Sequence, residues 1–163
     1  MKRNEKEIIE LLKANSRISV KEIACITGLA EKDIEQIIKK LESKGVILQY
    51  TTVVNEDKID SDMMRALVHV SIRPEKRKGF DAIAQRTCKY KNVVDLYLVS
   101  GQYDFLVIIE GKSLQEISYF VADKLASLDN IRSTETVFIM KRYKEKGVTF
   151  AEAEAVSRLA ITP

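Results

Sequence analysis

Between residues 20 and 41 the apolar side chains fall where two crossed helices joined by a sharp turn require them, the spacing of a helix-turn-helix. Val20, Ile23, Ala24, Leu29, Ile34, Ile37, Ile38 and Leu41 supply a seam. Ala24 is small enough to let a second helix approach, and Gly28 can take the positive φ that the turn demands. In the third helix Ile34, Ile37, Ile38 and Leu41 stand at i, i+3, i+4 and i+7, which makes one apolar face and leaves the other free to enter a groove. A preceding helix carries Ile8, Ile9, Leu11 and Leu12. Asn4 with Glu7, and Ser19 with Glu22, have the spacing of reciprocal caps, whereas Ala30 offers the third helix none. Gly45 closes that helix before an extended run, Val46 to Val54, expected to be the strand of a wing. Any three-helix bundle could place a glycine between amphipathic helices; the first helix and the wing favour DNA.

Composition allows this without demanding it. The 163 residues, 31% charged and 45% hydrophobic, suit a soluble globular chain with one substantial core or two small ones. No apolar run approaches the roughly 20 residues of a membrane span, and MKRNEKEIIE lacks the apolar centre of a signal peptide, so a cytoplasmic protein is expected. Cys25 and Cys88 lie far apart and are expected to be reduced, packed thiols. With His69 the single histidine, no zinc set and no cofactor are indicated. Residues 1–50 hold ten basic and eight acidic side chains, a balance that permits phosphate binding weakly. One copy should therefore bind DNA poorly, and several copies together better.

Beyond residue 55 the period changes from 3.6 to 2. Met64, Ala66, Val68, Val70 and Ile72 alternate with Arg65, Leu67, His69 and Ser71, which predicts a strand ended by Pro74. Phe80, Ile83, Ala84 and Thr87 then recur at helical spacing. Val93 to Ser100 and Tyr103 to Glu110 predict a hairpin turning tightly at Gly101 and Gln102. Ser113 and Glu116 open a helix through Leu128, and a last strand is expected from about Ile131 to Arg142. The order β-α-β-β-α-β is that of a ferredoxin-like unit. The whole is thus an α+β chain: a winged helix-turn-helix over 1–54, a connector over 55–62, a ferredoxin-like sandwich over 63–145 and a tail over 146–163. Its central and last strands are apolar on both faces, while two helices can cover only one, so a second copy is expected on the other, near Leu67 and His69. A tail folding back over that face is the competing arrangement, and Leu159 to Thr162 could add an edge strand.

The segments NSRISVKEIACITGL, LESKGVILQYTTVVN, VSGQYDFLVIIEG and IRSTETVFIM together resemble the leucine-responsive regulatory protein and AsnC (Lrp/AsnC) family of transcription regulators over nearly the whole length. The resemblance implies a DNA-binding winged helix, a RAM/AsnC-type ligand-sensing domain, dimers built on the sheet that often assemble as octamers, and an amino-acid effector bound between dimers near the central hairpin. The matching positions are Ser100, Gly101, Gln102, Tyr103 and Asp104, with Thr134 and Glu135 as weaker candidates. Backbone amides at Gly101 could hold a carboxylate and Asp104 an ammonium group, though a Gly-Gln pair is also simply a turn. For DNA, Gln36 and Lys39 are expected to face the groove and Lys32 and Lys40 the phosphates, each of which could equally be a solvated charge. Ala30 and Ile37 depart from the serine and arginine of many relatives, which puts base-specific contacts in doubt.

Two other classes fit the same plan. Some proteins of this architecture decarboxylate haem precursors, and Arg65 and Arg73 share the face of His69, as an anionic tetrapyrrole would need. A metabolite-binding module without DNA binding would suit the mixed charge of the third helix, where Lys32, Lys39, Lys40 and Lys44 stand against Glu31, Asp33, Glu35 and Glu42.

Overall fold

The computed structural model describes residues 2–59, 62–73 and 79–150. The chain forms two compact units, 1–54 and 55–163. In the first, helices α1 (Arg3–Ala14), α2 (Val20–Thr27) and α3 (Glu31–Ser43) pack around Ile8, Ile23 and Ile34, all fully buried, with Leu11, Leu12, Val20, Ala24, Leu29, Ile37 and Ile38 against them. Gly28 adopts φ 71°, left-handed as the turn requires, and its amide caps α2 on the Ala24 carbonyl at 2.9 Å. At the end of α3, Val46 N–H reaches the Leu41 carbonyl and Gly45 N–H the Glu42 carbonyl, each at 2.9 Å, which satisfies the last turn in a Schellman arrangement.

Ser19 and Glu22 cap α2 reciprocally, at 3.1 and 2.8 Å, as their spacing predicts. The cap of α1 differs: the helix begins at Arg3, and Glu5 rather than Glu7 receives the Lys2 amide, at 2.8 Å. Residues 46 and 47 belong to the turn that ends α3, and 48–54 form no regular element and pair with no described strand. They are held instead by Ser16 Oγ donating to the Thr51 carbonyl at 3.2 Å and by Tyr50 donating to Glu42 at 2.9 Å. β-Propensity extends a segment, whereas a strand needs a partner.

The second unit is the expected β-α-β-β-α-β: β1 (Met64–Ile72), α4 (Gly79–Thr87), β2 (Val93–Leu98), β3 (Phe105–Gly111), α5 (Leu114–Phe120) and β4 (Ile131–Phe138). The four strands are antiparallel in the order β2-β3-β1-β4. Ala66, Val68, Val70, Phe105, Val107 and Ile109 are buried on one face against Ile83, Ile117, Phe120, Val121 and Leu125. After α5 the chain continues through one wide turn, Val121–Leu125, closed by Ala126 N–H on the Val121 carbonyl at 2.7 Å. The tight two-residue hairpin is corrected to a four-residue loop, Ser100–Tyr103, closed by Val99 N–H on the Asp104 carbonyl at 2.8 Å. β4 stops at Phe138, short of Arg142, because β1 begins at Met64; Ile139 makes one further bond, to the Arg65 carbonyl at 2.9 Å, and then has no strand to follow.

A short hairpin, β5 (Lys144–Glu145) with β6 (Val148–Thr149), follows. The expected tail elements at residues 151–163, the edge strand included, lie outside the described residues. Cys25 and Cys88 are free, as expected, but both are exposed rather than packed, because each lies on the solvent side of its segment.

Candidate nucleic-acid interface and effector site

With about 100° between successive residues, a helix that buries Ile34 and Leu41 directs Lys32, Gln36, Lys39 and Ser43 to the opposite side. All four are exposed, and Lys32, Gln36 and Lys39 form no hydrogen bond or ion pair with any described residue. They are therefore available to a groove. One residue on each flank of α3 is engaged. Lys40 Nζ lies 2.8 Å from Glu5 Oε1, and Tyr50 donates to Glu42 on the other flank. Glu5 is only 7% exposed. The Lys40 hydrogen bond, with the Lys2 amide behind it, outweighs burial and holds the Glu5 carboxyl down at about 2, from an ordinary 4.5. Desolvation first, and then the Glu42 carboxylate, push the Tyr50 hydroxyl up. Of the four basic or polar positions expected to meet DNA, three stand free and Lys40 is bound within the protein. Neither Glu5 nor Tyr50 stood out in the sequence, since their partners come from other elements.

In the second unit, Ser100, Gly101 and Gln102 form the exposed tip of the central loop, where Gly101 takes φ 152°, a region side chains disfavour. Asp104 is committed to the fold: its amide donates to the Val70 carbonyl at 3.0 Å, and its Oδ2 accepts from Ile72 N–H at 2.7 Å, beside the irregularity in β1. Tyr103 folds back onto the sheet, stacked on His69 at 4.5 Å between centroids, and its hydroxyl donates to Glu135. That carboxylate raises the Tyr103 hydroxyl above its ordinary range. Glu135 Oε2 also lies 3.6 Å from His69 Nδ1, an atom shut off from solvent and without a hydrogen-bond partner. The loop and β4 thus bring Tyr103 and Glu135 together. Thr134 lies opposite Val70 on the core-bearing face, away from Glu135, because side chains alternate along a strand.

The sheet face that bears His69 also carries Leu67, Leu106, Ile108, Val137 and Tyr97, and no described helix covers it. At one end, Arg65 binds Glu110 through Nε at 2.8 Å and through a second nitrogen, and Glu145 at 2.9 Å. Arg142 joins Glu145 at 2.9 Å to Glu56 at 2.8 Å. Burial pushes Glu145 up, but the two guanidinium groups outweigh it and leave the carboxyl below its ordinary range.

A helix-turn-helix with a free polar stripe, followed by an antiparallel ligand-domain sheet, defines a class of DNA-binding regulators. Residues 1–47 match the model for winged helix-turn-helix DNA-binding domains, and residues 65–149 that for the Lrp/AsnC ligand-binding domain. The chain is 37% identical over 160 residues to the uncharacterized HTH-type transcriptional regulator YugG of Bacillus subtilis, covering 98% of this chain and 96% of the relative. It is 33% identical to the HTH-type transcriptional regulator FL11 of Pyrococcus furiosus over 86% of this chain and 90% of that one. Among solved structures, a transcriptional regulator from Neisseria meningitidis in complex with L-Met superposes with a TM-score of 0.71 at 22% identity, over 89% of this chain and 93% of that one. AsnC of E. coli gives 0.68 at 19%, over 89% and 95%. The chain belongs to the Lrp/AsnC family: it is a DNA-binding transcriptional regulator with a ligand-binding domain.

Proposed function

We propose that the chain regulates transcription by laying α3 in the major groove, with Gln36 reading bases and Lys32 and Lys39 holding phosphates, under the control of an amino acid bound at the loop Ser100–Asp104. The observation that carries this is the stripe Lys32, Gln36 and Lys39, exposed and unengaged among the described residues. Glutamine can pair with adenine N6 and N7, and lysine with phosphate or guanine. The effector class is supported by the L-Met bound to the Neisseria relative and by the loop chemistry, in which backbone amides at Gly101 suit a carboxylate and Asp104 and Glu135 an ammonium group. The uncovered sheet face supports a dimer in which two copies pack through Leu67, Leu106 and Val137, and the resemblance to the family implies that such dimers assemble further, to an octamer. Arg65, which a haem-precursor decarboxylase would need for its substrate, is already bound by Glu110 and Glu145, which favours the regulator.

Fluorescence anisotropy on the protein's own upstream DNA tests the first half. Lys39→Ala should lower affinity for every duplex and reduce the salt slope by about one, while Gln36→Ala should narrow the gap between specific and random DNA. Unchanged affinities and slope would show that this face makes no contact. A thermal-shift screen of the twenty amino acids tests the second half. A ligand at a hundred times its dissociation constant stabilises by about 2.7 kcal/mol, and no shift with any of them would remove the effector class.

A further inference from the structure

Lys40 sits off the centre of the exposed stripe of α3, on the flank that meets α1, and there its ammonium group is 2.8 Å from a carboxylate that is almost wholly buried. The second oxygen of that carboxylate is equally occupied, by the Lys2 amide at 2.8 Å. Among the described residues Lys40 is the one side-chain partner of Glu5, and withdrawing it would leave a charge in the seam between two helices without that partner. On the opposite flank Tyr50 holds Glu42 at 2.9 Å, so one residue on each flank of α3 is tied to the rest of the unit, while Lys32, Gln36 and Lys39 are unengaged among the described residues.

From this we infer that Glu5 withholds the Lys40 charge from DNA: Lys40 is a positioning residue that fixes the approach of α3, and Lys32 and Lys39 alone supply the phosphate contacts of this helix. The inference rests on the DNA-binding reading and gives Lys40, expected from the sequence to meet a phosphate, a different part in it. Where a phosphate ligand would add about 0.9 to the slope of log affinity against log salt, a clasped lysine adds nothing. Freed from Glu5, the same lysine becomes a new cation beside the backbone.

The test uses the full chain on a specific and a random duplex between about 50 and 200 mM salt. Lys39→Met should lower the slope by about 0.9, whereas Lys40→Met should leave it unchanged while narrowing the ratio of specific to random affinity. Glu5→Gln should raise the slope by about 0.9, so that random binding falls roughly three- to fourfold more steeply over that range, and adding Lys40→Met should cancel the gain. A slope lowered by Lys40→Met and untouched by Glu5→Gln would make Lys40 a phosphate contact and overturn the inference, leaving the DNA-binding reading intact. An independent readout is carboxyl NMR of Glu5. With a midpoint of about 2 the wild-type group stays ionised through pH ~3.5, and in Lys40→Met it should titrate toward 4.5; an unmoved midpoint would also overturn the clasp. A wild type that binds no duplex would sink the DNA-binding reading and the withholding with it, and the NMR titration would still report whether the clasp exists.

Discussion

Asp104 has a place in the fold and, in the proposed function, a second one in the effector site. Its Oδ2 satisfies the Ile72 amide where β1 departs from regular register, and removing it leaves a donor without its partner. Asp104→Ala should therefore cost about 1–3 kcal/mol in denaturant unfolding, quite apart from any effector. Asp104→Asn separates the roles: the amide oxygen can still accept from Ile72, so stability should hold, while the charge that would meet an ammonium group is gone. If Asp104→Asn keeps both its stability and the full ligand-induced thermal shift, the carboxylate is a loop fastener and nothing more. Gly28 carries a simpler obligation. At φ 71° a Cβ meets no neighbour within 4 Å, so Gly28→Ala should cost only the left-handed backbone, about 1–2 kcal/mol by calorimetry or denaturant.

At the scale of elements, the helix-turn-helix rests on three fully buried isoleucines, one from each helix, and its stability is correspondingly concentrated. Ile23→Ala should remove about 2–5 kcal/mol and raise amide exchange throughout 1–54 while protection of β1 and β3 is retained, since those strands have their own core. Uniform loss of protection across both units would contradict separate cores. Acid should act on the same helices through the contact between α1 and α3. Because the Glu5 carboxyl is depressed to about 2 from 4.5, the stability it contributes is complete above about 4.5 and is lost as pH falls toward 2. Glu5→Gln should flatten that part of the acid profile, followed by circular dichroism; an unaltered profile would place the acid-sensitive group elsewhere.

For the whole molecule, the governing feature is a four-stranded sheet with helices on one face and Leu67, Leu106, Ile108 and Val137 on the other. Apolar surface of this kind, rimmed by the Arg65 and Arg142 ion pairs, matches an interface with a polar edge. The wild type should be at least a dimer by light scattering at micromolar concentration, and Leu106→Glu, which sets a charge opposite His69 in the middle of the face, should shift it toward monomer with the secondary structure preserved. A wild-type species of one chain mass would remove the sheet-to-sheet dimer.

Periodicity was sufficient wherever the cause is local. Ile34, Ile37, Ile38 and Leu41 specify a helix face, Ala66 to Ile72 a strand with two distinct sides, and Ser19 with Glu22 a cap, because each depends on residues within a turn or two. The order of elements then followed. Partner choice across the chain was not legible. Glu5 and Lys40 are 35 positions apart, Asp104 and Ile72 are 32, and Arg65 and Glu145 are 80, distances at which many carboxylates compete and only topology selects one. The first cap makes the point at closest range. Asn4 with Glu7 and Lys2 with Glu5 have the same i, i+3 spacing, but Glu5 lies where α3 brings Lys40 to its other oxygen, so a tertiary contact decided a local structure. The strand expected over 46–54 does not form for the converse reason, since β-propensity alone does not make a strand and this segment has no described strand to pair with. Sequence alone thus determined the order of the helices and of the four sheet strands and the exposed stripe of α3; the tertiary structure decided where strands find partners and which charges on that helix are free, because a strand pair or an ion pair belongs to two elements and is encoded by neither.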